Sequence, residues 1–341
     1  MTYEHNSRPR LSWMDNLRAL LIIALLLLHV TSNENIASLA SPNTILIWDA
    51  FNHALTPFRM PIFFFISGIL SASTIRSKWS TVLKKSTLRF SYLGILWGGL
   101  AAVIVSILDH TLNWEILLNV FAESIWFLAA LAIYIPITKA LSRLNVYLPT
   151  IVGIVSFVIA APLLSTHFSA LSSISFYFFY FSIGVIFSKN LLGKKITISW
   201  KTILVSSVLF LISAYIMKQA PVGIADTTSR FLANGFATVL GVSVAIKLLN
   251  KPIQSLTKIG RNTIGIYLVH STLLFLFSKF VLDALTNYGI LTLDEFGSLV
   301  VFLAFIFTAV FVTFVIKNMD NYLRTYLLTD PFSGPKKPND G

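Results

Sequence analysis

Charged side chains are missing from nine long runs of the chain: 19–33, 60–75, 90–108, 124–138, 144–188, 202–217, 231–246, 262–278 and 296–316. Most approach the ~20 apolar residues that a tilted α-helix needs to cross ~30 Å of hydrocarbon. The 45-residue run 144–188 is too long for one crossing, and PLLSTHFS at 162–169 divides it. The pattern predicts ten helices, at roughly 11–31, 59–75, 86–108, 116–138, 146–163, 171–188, 202–217, 230–248, 262–281 and 296–317. The fold class is all-α, a polytopic integral membrane protein with one transmembrane domain over 11–318. It is flanked by tails 1–10 and 319–341, the second ending in the polar stretch SGPKKPNDG, whose composition favours disorder.

The segment NTILIWDAFNHALTPF (43–58) is too polar to cross and too apolar for a free loop. It reads as a short re-entrant or interfacial segment, of a kind tolerated where it lines a protein cavity. Pro57 and Pro61 suit the start of the helix that follows, where a missing N–H costs little. Gly68 offers a small face for close helix packing.

Composition agrees with the pattern: 55% of residues are hydrophobic and 12% charged, against about a quarter charged in a typical soluble protein. The formal net charge of +12 invites a nucleic-acid reading, but the charge is distributed for a membrane. When the chain is threaded through ten crossings, every Lys and Arg except Arg59, Lys218, Arg230 and Lys279 falls on one side. By the positive-inside rule that side is the cytoplasm, and both tails lie there, in a multi-pass protein of the cytoplasmic (inner) membrane. Basic flanks are then expected to meet anionic membrane lipids. The first helix contains Arg18 and has no clear cleavage site, so it is expected to be retained. Cysteine is absent, which excludes disulfides, thiolate metal sites and a cysteine nucleophile. No metal site is expected.

Ionisable groups within crossings are costly and mark function by default. Arg18 and His29 are eleven residues apart, which on an α-helix is ~16 Å of rise and only ~20° of rotation. They share one face of one helix, Arg18 toward the cytoplasm and His29 toward the outer leaflet. Arg59 and Glu123 fall near the level of His29, with His270 near the midplane and Tyr267 one turn before it. Asp49 and His53 lie on the 43–58 segment. Simpler roles exist for several of these. Arg18 can pair with Asp15 one turn earlier, His270 can donate to a carbonyl of its preceding turn, and Glu123 can serve a structural cation. Asp49 and His53 can be wet residues of an interfacial helix.

Four stretches in order resemble the acyltransferase family 3 membrane proteins. DNLRALLIIALLLLH (15–29) carries the family's Arg, ten residues, His pattern on Arg18 and His29. FRMPIFFFISG (58–68) matches its second-helix segment with Arg59 in place. WFLAALAIY (126–134) is similar to its Trp-Phe-Leu helix, and IGRNTIGIYLVHSTLL (259–274) to the late helix bearing Tyr267 and His270. Lys85 and Arg89 resemble the family's cytoplasmic basic pair. At the Trp helix the chain departs from many members, with Leu131 where an acid is found in some and Ser124 where others carry His.

The resemblance implies a membrane O-acyltransferase that moves an acyl group, acetyl being the first expectation, from cytoplasmic acyl-CoA to a sugar hydroxyl of an extracytoplasmic glycan. Arg18, Lys85 and Arg89 would hold the phosphates of acyl-CoA, since arginine's planar fork binds two oxygens at once. His29 would act as general base or as an acyl-accepting nucleophile. Arg59 would polarise the acyl oxygen or anchor the acceptor, and Glu123 would contribute to the same site. The alternative is a transporter or flippase of a lipid-linked or anionic sugar. It lacks support from any inverted repeat or paired broken helices.

Overall fold

A computed structural model describes residues 11–108, 114–160, 169–193, 196–220, 224–289, 294–318 and 326–328 of the protein. Its elements are α1 (Ser12–Thr31), α2 (Glu34–Ala37), α3 (Pro42–Arg76), α4 (Trp79–Val82), a π-helical stretch (Leu83–Leu88) and α5 (Arg89–Leu108). Then come α6 (Trp114–Leu144), α7 (Leu148–Val155) with a π continuation (Ser156–Ala160), and α8 (Ser169–Gly193). The chain continues through α9 (Trp200–Gln219), α10 (Ile224–Leu248), α11 (Gln254–Arg261), α12 (Thr263–Asn287) and α13 (Glu295–Asn318). Among the described residues, nine helical stretches are long and apolar enough to cross a membrane. The protein is all-α and polytopic. The crossing expected at 146–163 begins as α7 and its π continuation, while 161–168 lie outside the described residues.

Helices dominate because hydrocarbon supplies no hydrogen bonds, so each segment must satisfy its own backbone. Their ends follow the charges within a few residues. The 43–58 region differs from expectation. It is helical, yet no break separates it from the residues after 59: both belong to α3, one helix of 35 residues. At ~1.5 Å per residue α3 is ~52 Å long, well beyond one hydrocarbon thickness. Pro42 opens it behind Ser41, whose Oγ accepts the Thr44 amide at 3.2 Å. Pro57 and Pro61 lie inside the helix, where proline ordinarily removes a backbone bond and costs ~3 kcal/mol. Here side chains reinforce the turn before Pro57. Thr56 Oγ1 and Arg59 Nη2 both donate to the Asn52 carbonyl, at 2.6 and 2.9 Å.

The core gathers around α1, which packs against α3, α10, α11, α12 and α13 and buries Leu17, Leu21, Ile22, Leu25 and Leu26. Asn16 ties its start to the 249–257 region. Its Nδ2 donates to the carbonyls of Leu249 and Lys251 at 3.0 and 2.9 Å, and its Oδ1 accepts from Thr257 at 3.0 Å. α3 and α8 approach so closely that glycine is required reciprocally. A Cβ on Gly68 would lie 2.1 Å from the Phe181 carbonyl oxygen, and one on Gly184 2.0 Å from that of Phe65. This is the small-residue contact by which membrane helices associate. Trp97 Nε1 donates to the Leu327 carbonyl at 2.8 Å and holds the last described turn against α5.

Candidate active site

Between α1, α3, the π stretch, α6 and α12 lies a cavity of about 220 Å³. Its charged end is formed by Arg18 of α1, Lys85 of the π stretch and Arg89 at the start of α5. The three basic residues expected to act together thus share one space. The π stretch places Lys85 and buried Ser86 on the cavity wall, and a widened helical turn is a frequent device at functional sites. Two hydroxyls hold it: Ser86 Oγ donates to the Val82 carbonyl and Thr87 Oγ1 to the Ala132 carbonyl of α6, the latter at 3.1 Å. Arg18 is held on two sides. Its Nη2 donates to Thr263 Oγ1, and Nη1 lies 3.8 Å from the Asp15 carboxylate. Asp15 in turn accepts from Arg261 Nε at 3.2 Å.

Beyond the cations the walls turn apolar and aromatic, with Ile22, Leu25, Phe63, Phe127 and Leu131, and hydroxyls from Ser67 and Ser71. Tyr267 lines the cavity and begins a line of rings. Its centroid is 5.1 Å from His270, and His270 is 4.9 Å from His29. The cations line the cavity, and the two imidazoles stand outside its lining, in ring contact with it through Tyr267. Arg18 and His29 do share a face, for both meet α12, Arg18 at Thr263 and His29 at His270.

His270 is 2% exposed, and its Nδ1 faces the Tyr267 carbonyl oxygen in a short contact. A carbonyl only accepts, so Nδ1 carries the proton and Nε2 is left as an acceptor, 3.4 Å from Ser271 Oγ. The bond to the preceding turn matches the simpler role expected of His270. His29 is half-buried, and no hydrogen bond joins its ring to another of the described residues.

Arg59 is 3% exposed and heavily engaged. Nη1 donates to the Ala24 carbonyl of α1 at 3.3 Å and to Asn52 Oδ1 at 3.1 Å. Nη2 donates to the Asn52 carbonyl at 2.9 Å and to Thr56 Oγ1 at 2.7 Å. The Asn52 amide nitrogen donates to Thr31 Oγ1 at 2.8 Å. Four of the five guanidinium N–H groups are thus spent on protein, and the network staples α3 to α1 on both sides of His29.

The remaining expected residues are not brought together with these. Asp49 and His53 are exposed on the outer face of α3 and do not line the cavity. Glu123 belongs to α6, and its side chain lies outside the described residues. Reading the sequence missed Asn52 and Thr263. Each had a signal: Asn52 precedes Arg59, and Thr263 precedes His270, by seven residues, two helical turns on one face. No group of three or more metal-ligating side chains occurs among the described residues.

Comparison with known proteins places this arrangement. The acyltransferase family 3 model, described as an acyltransferase domain, matches residues 11–317. The inner membrane protein YcfT of Escherichia coli (strain K12) is 26% identical over 301 residues, covering 78% of this chain and 80% of that protein. No solved structure matches. A match across nearly the whole helical region settles the family: this chain belongs to acyltransferase family 3, whose members are integral membrane acyltransferases.

Proposed function

We propose that the protein transfers an acyl group, acetyl as the first candidate, from acyl-CoA to a sugar hydroxyl of an extracytoplasmic glycan. On this reading the basic end of the bundle faces the cytoplasm and the chain resides in the cytoplasmic membrane, as the charge asymmetry favours. The observation that carries the proposal is a basic cavity whose aromatic wall touches a pair of imidazoles. Three cations, Arg18, Lys85 and Arg89, line the cavity, and Tyr267 of its wall lies against His270, which lies against His29.

Acyl-CoA is too highly charged to cross lipid, so its phosphates stay at the cations while the thioester arm extends between the apolar walls. His29 has ring nitrogens unclaimed by described neighbours and takes the proton of the sugar hydroxyl as it attacks the thioester carbonyl. The new ester C–O bond forms, the C–S bond breaks, and the CoA thiolate recovers the proton from the His29 imidazolium. Arg59 acts as a positioning residue. With four N–H groups committed to α3 and α1, it fixes the helical turn that carries His29 and lends its charge to the site. His270, held by its own backbone, keeps the His29 ring in place.

The test is His29→Gln, since glutamine hydrogen-bonds but cannot take up the proton. In reconstituted protein supplied with acetyl-CoA, the expected result is loss of acylated glycan by mass spectrometry, about 100-fold or more, with an unchanged gel-filtration profile. Near-normal acylation by this variant would refute the role of His29. An intact protein that neither acylates a glycan nor slowly hydrolyses acetyl-CoA would instead favour transport of an anionic sugar.

A further inference from the structure

A second basic cleft shares no lining residue with that cavity. The C-terminal end of α3 and the last turns of α6 enclose an open cleft of about 480 Å³. Arg76, Lys78, Lys139 and Arg143 all line it. Lys139 is almost buried, and its Nζ donates to the carbonyls of Ile75 and Ser77, where it closes the end of α3. The Lys139 ammonium and the Arg143 guanidinium each lie 5.3 Å from the Trp79 ring centroid, so two cations share one indole. Arg76, Lys78 and Arg143 are exposed.

Four like charges on one cleft repel one another, and the cluster has no protein counter-anion among the described residues. The cleft is lined by no carboxylate. At this end of the bundle the described acid is Asp15, already engaged by Arg18 and Arg261. An external anion is the partner that this charge arrangement fits. We propose that the cleft binds the phosphate of an anionic membrane-lipid headgroup. Two features favour lipid over a dissolved phosphate ester. The cleft sits where helices end, with an indole at its rim, as aromatic residues do at bilayer interfaces. The adjoining chain also exposes Leu83, Leu144 and Val146, apolar surface suited to acyl chains below a headgroup. The site has a consequence for the cavity, because Trp79–Val82 leads directly into the π stretch bearing Lys85. A headgroup that ties α3 to α6 across Trp79 steadies the turn that presents this cation.

The experiment measures thermal unfolding of the full chain in neutral detergent against added phosphatidylglycerol, phosphatidylcholine or CoA. The triple variant Arg76→Gln, Lys78→Gln, Arg143→Gln is compared with the parent, and Lys139 is kept because it caps α3. Each basic residue removed from an anionic-lipid contact weakens it by roughly fivefold. Phosphatidylglycerol should therefore stabilise the parent at about 100-fold lower concentration than the triple variant, with no stabilisation by phosphatidylcholine. If the triple variant fails to fold, Arg143→Gln alone should show a shift of about fivefold. An equal phosphatidylglycerol response in parent and variant would overturn the proposal. So would a stabilisation by CoA that the variant loses while its lipid response survives, which would make the cleft a site for donor phosphates.

Discussion

Replacing Asn52 with leucine removes two bonds and little volume. The amide joins helices: Oδ1 accepts from Arg59 at 3.1 Å, and Nδ2 donates to Thr31 at 2.8 Å. Thr31 also bonds back to the carbonyls of Leu27 and Leu28, at 2.8 and 3.1 Å, on the turn that carries His29. A hydrogen bond to a charged group contributes ~1.5–3 kcal/mol, and an interhelical side-chain bond in a membrane averages ~0.6. Arg59 keeps its bonds to the Asn52 carbonyl, Thr56 and Ala24, so its guanidinium stays hydrogen-bonded and the low end applies. The expected loss is about 2 kcal/mol of stability. The kinetic effect should be more specific. Small misplacements of a catalytic group cost up to ~100-fold in rate, so kcat should fall at least about tenfold. KM for acetyl-CoA should stay within about twofold, because Arg18 lies ~16 Å along α1 from His29. Steady-state kinetics with mass-spectrometric counting of acylated glycan, beside thermal unfolding in detergent, reads both. A variant that loses stability but keeps kcat, or that raises KM and spares kcat, would refute Arg59 and Asn52 as the support of His29.

Three further outcomes follow from the same geometry. Arg18→Lys keeps the charge but cannot reach Thr263 and Asp15 together with a planar fork, so KM for acetyl-CoA should rise about tenfold or more with kcat less affected; an unchanged KM would remove Arg18 from donor binding. Gly184→Ala would place a methyl 2.0 Å from the Phe65 carbonyl oxygen, forcing α3 and α8 apart at a cost of about 1–3 kcal/mol, visible as a lower unfolding temperature; an unaltered temperature would mean that the helices do not meet at these glycines. In this cysteine-free chain, single cysteines can be labelled selectively in intact cells, and Leu46→Cys should react with an impermeant reagent while Lys78→Cys should not; the reverse would invert the orientation and the direction of transfer.

Much of the fold was legible because charge marks where helices end. The crossings predicted at 11–31, 202–217 and 230–248 correspond to helices ending at Thr31, Gln219 and Leu248. The one long misreading, the break before Arg59, has a local cause. Proline, Asp49, Asn52 and His53 together look like a separate re-entrant or interfacial segment, and side chains reinforce the helix that runs through them. Among those polar residues, reading along the chain could not tell which turn inward. The shared face of Arg18 and His29 was legible because it needs only helical geometry. What holds them was not, since Thr263 and His270 reach α1 from about 240 residues away.

On the proposed function, the division of labour along α1 follows from what the bilayer allows. A phosphate-bearing donor can be met only where water and cations are available, at the mouth formed by Arg18, Lys85 and Arg89. On that function a sugar hydroxyl is met from the other side, toward which the charge asymmetry turns His29. If neither substrate crosses, the acyl group alone travels, and the apolar wall available to it is Ile22, Leu25, Phe63 and Phe127. A soluble enzyme brings both substrates into one pocket and needs no such spacing. Here the distance between binding and chemistry is set by helix rise, which is why one arginine and one histidine at a fixed interval on α1 carry so much of the proposed mechanism. An insertion or deletion of a single residue between them would turn His29 by ~100° away from His270 and leave the donor mouth intact.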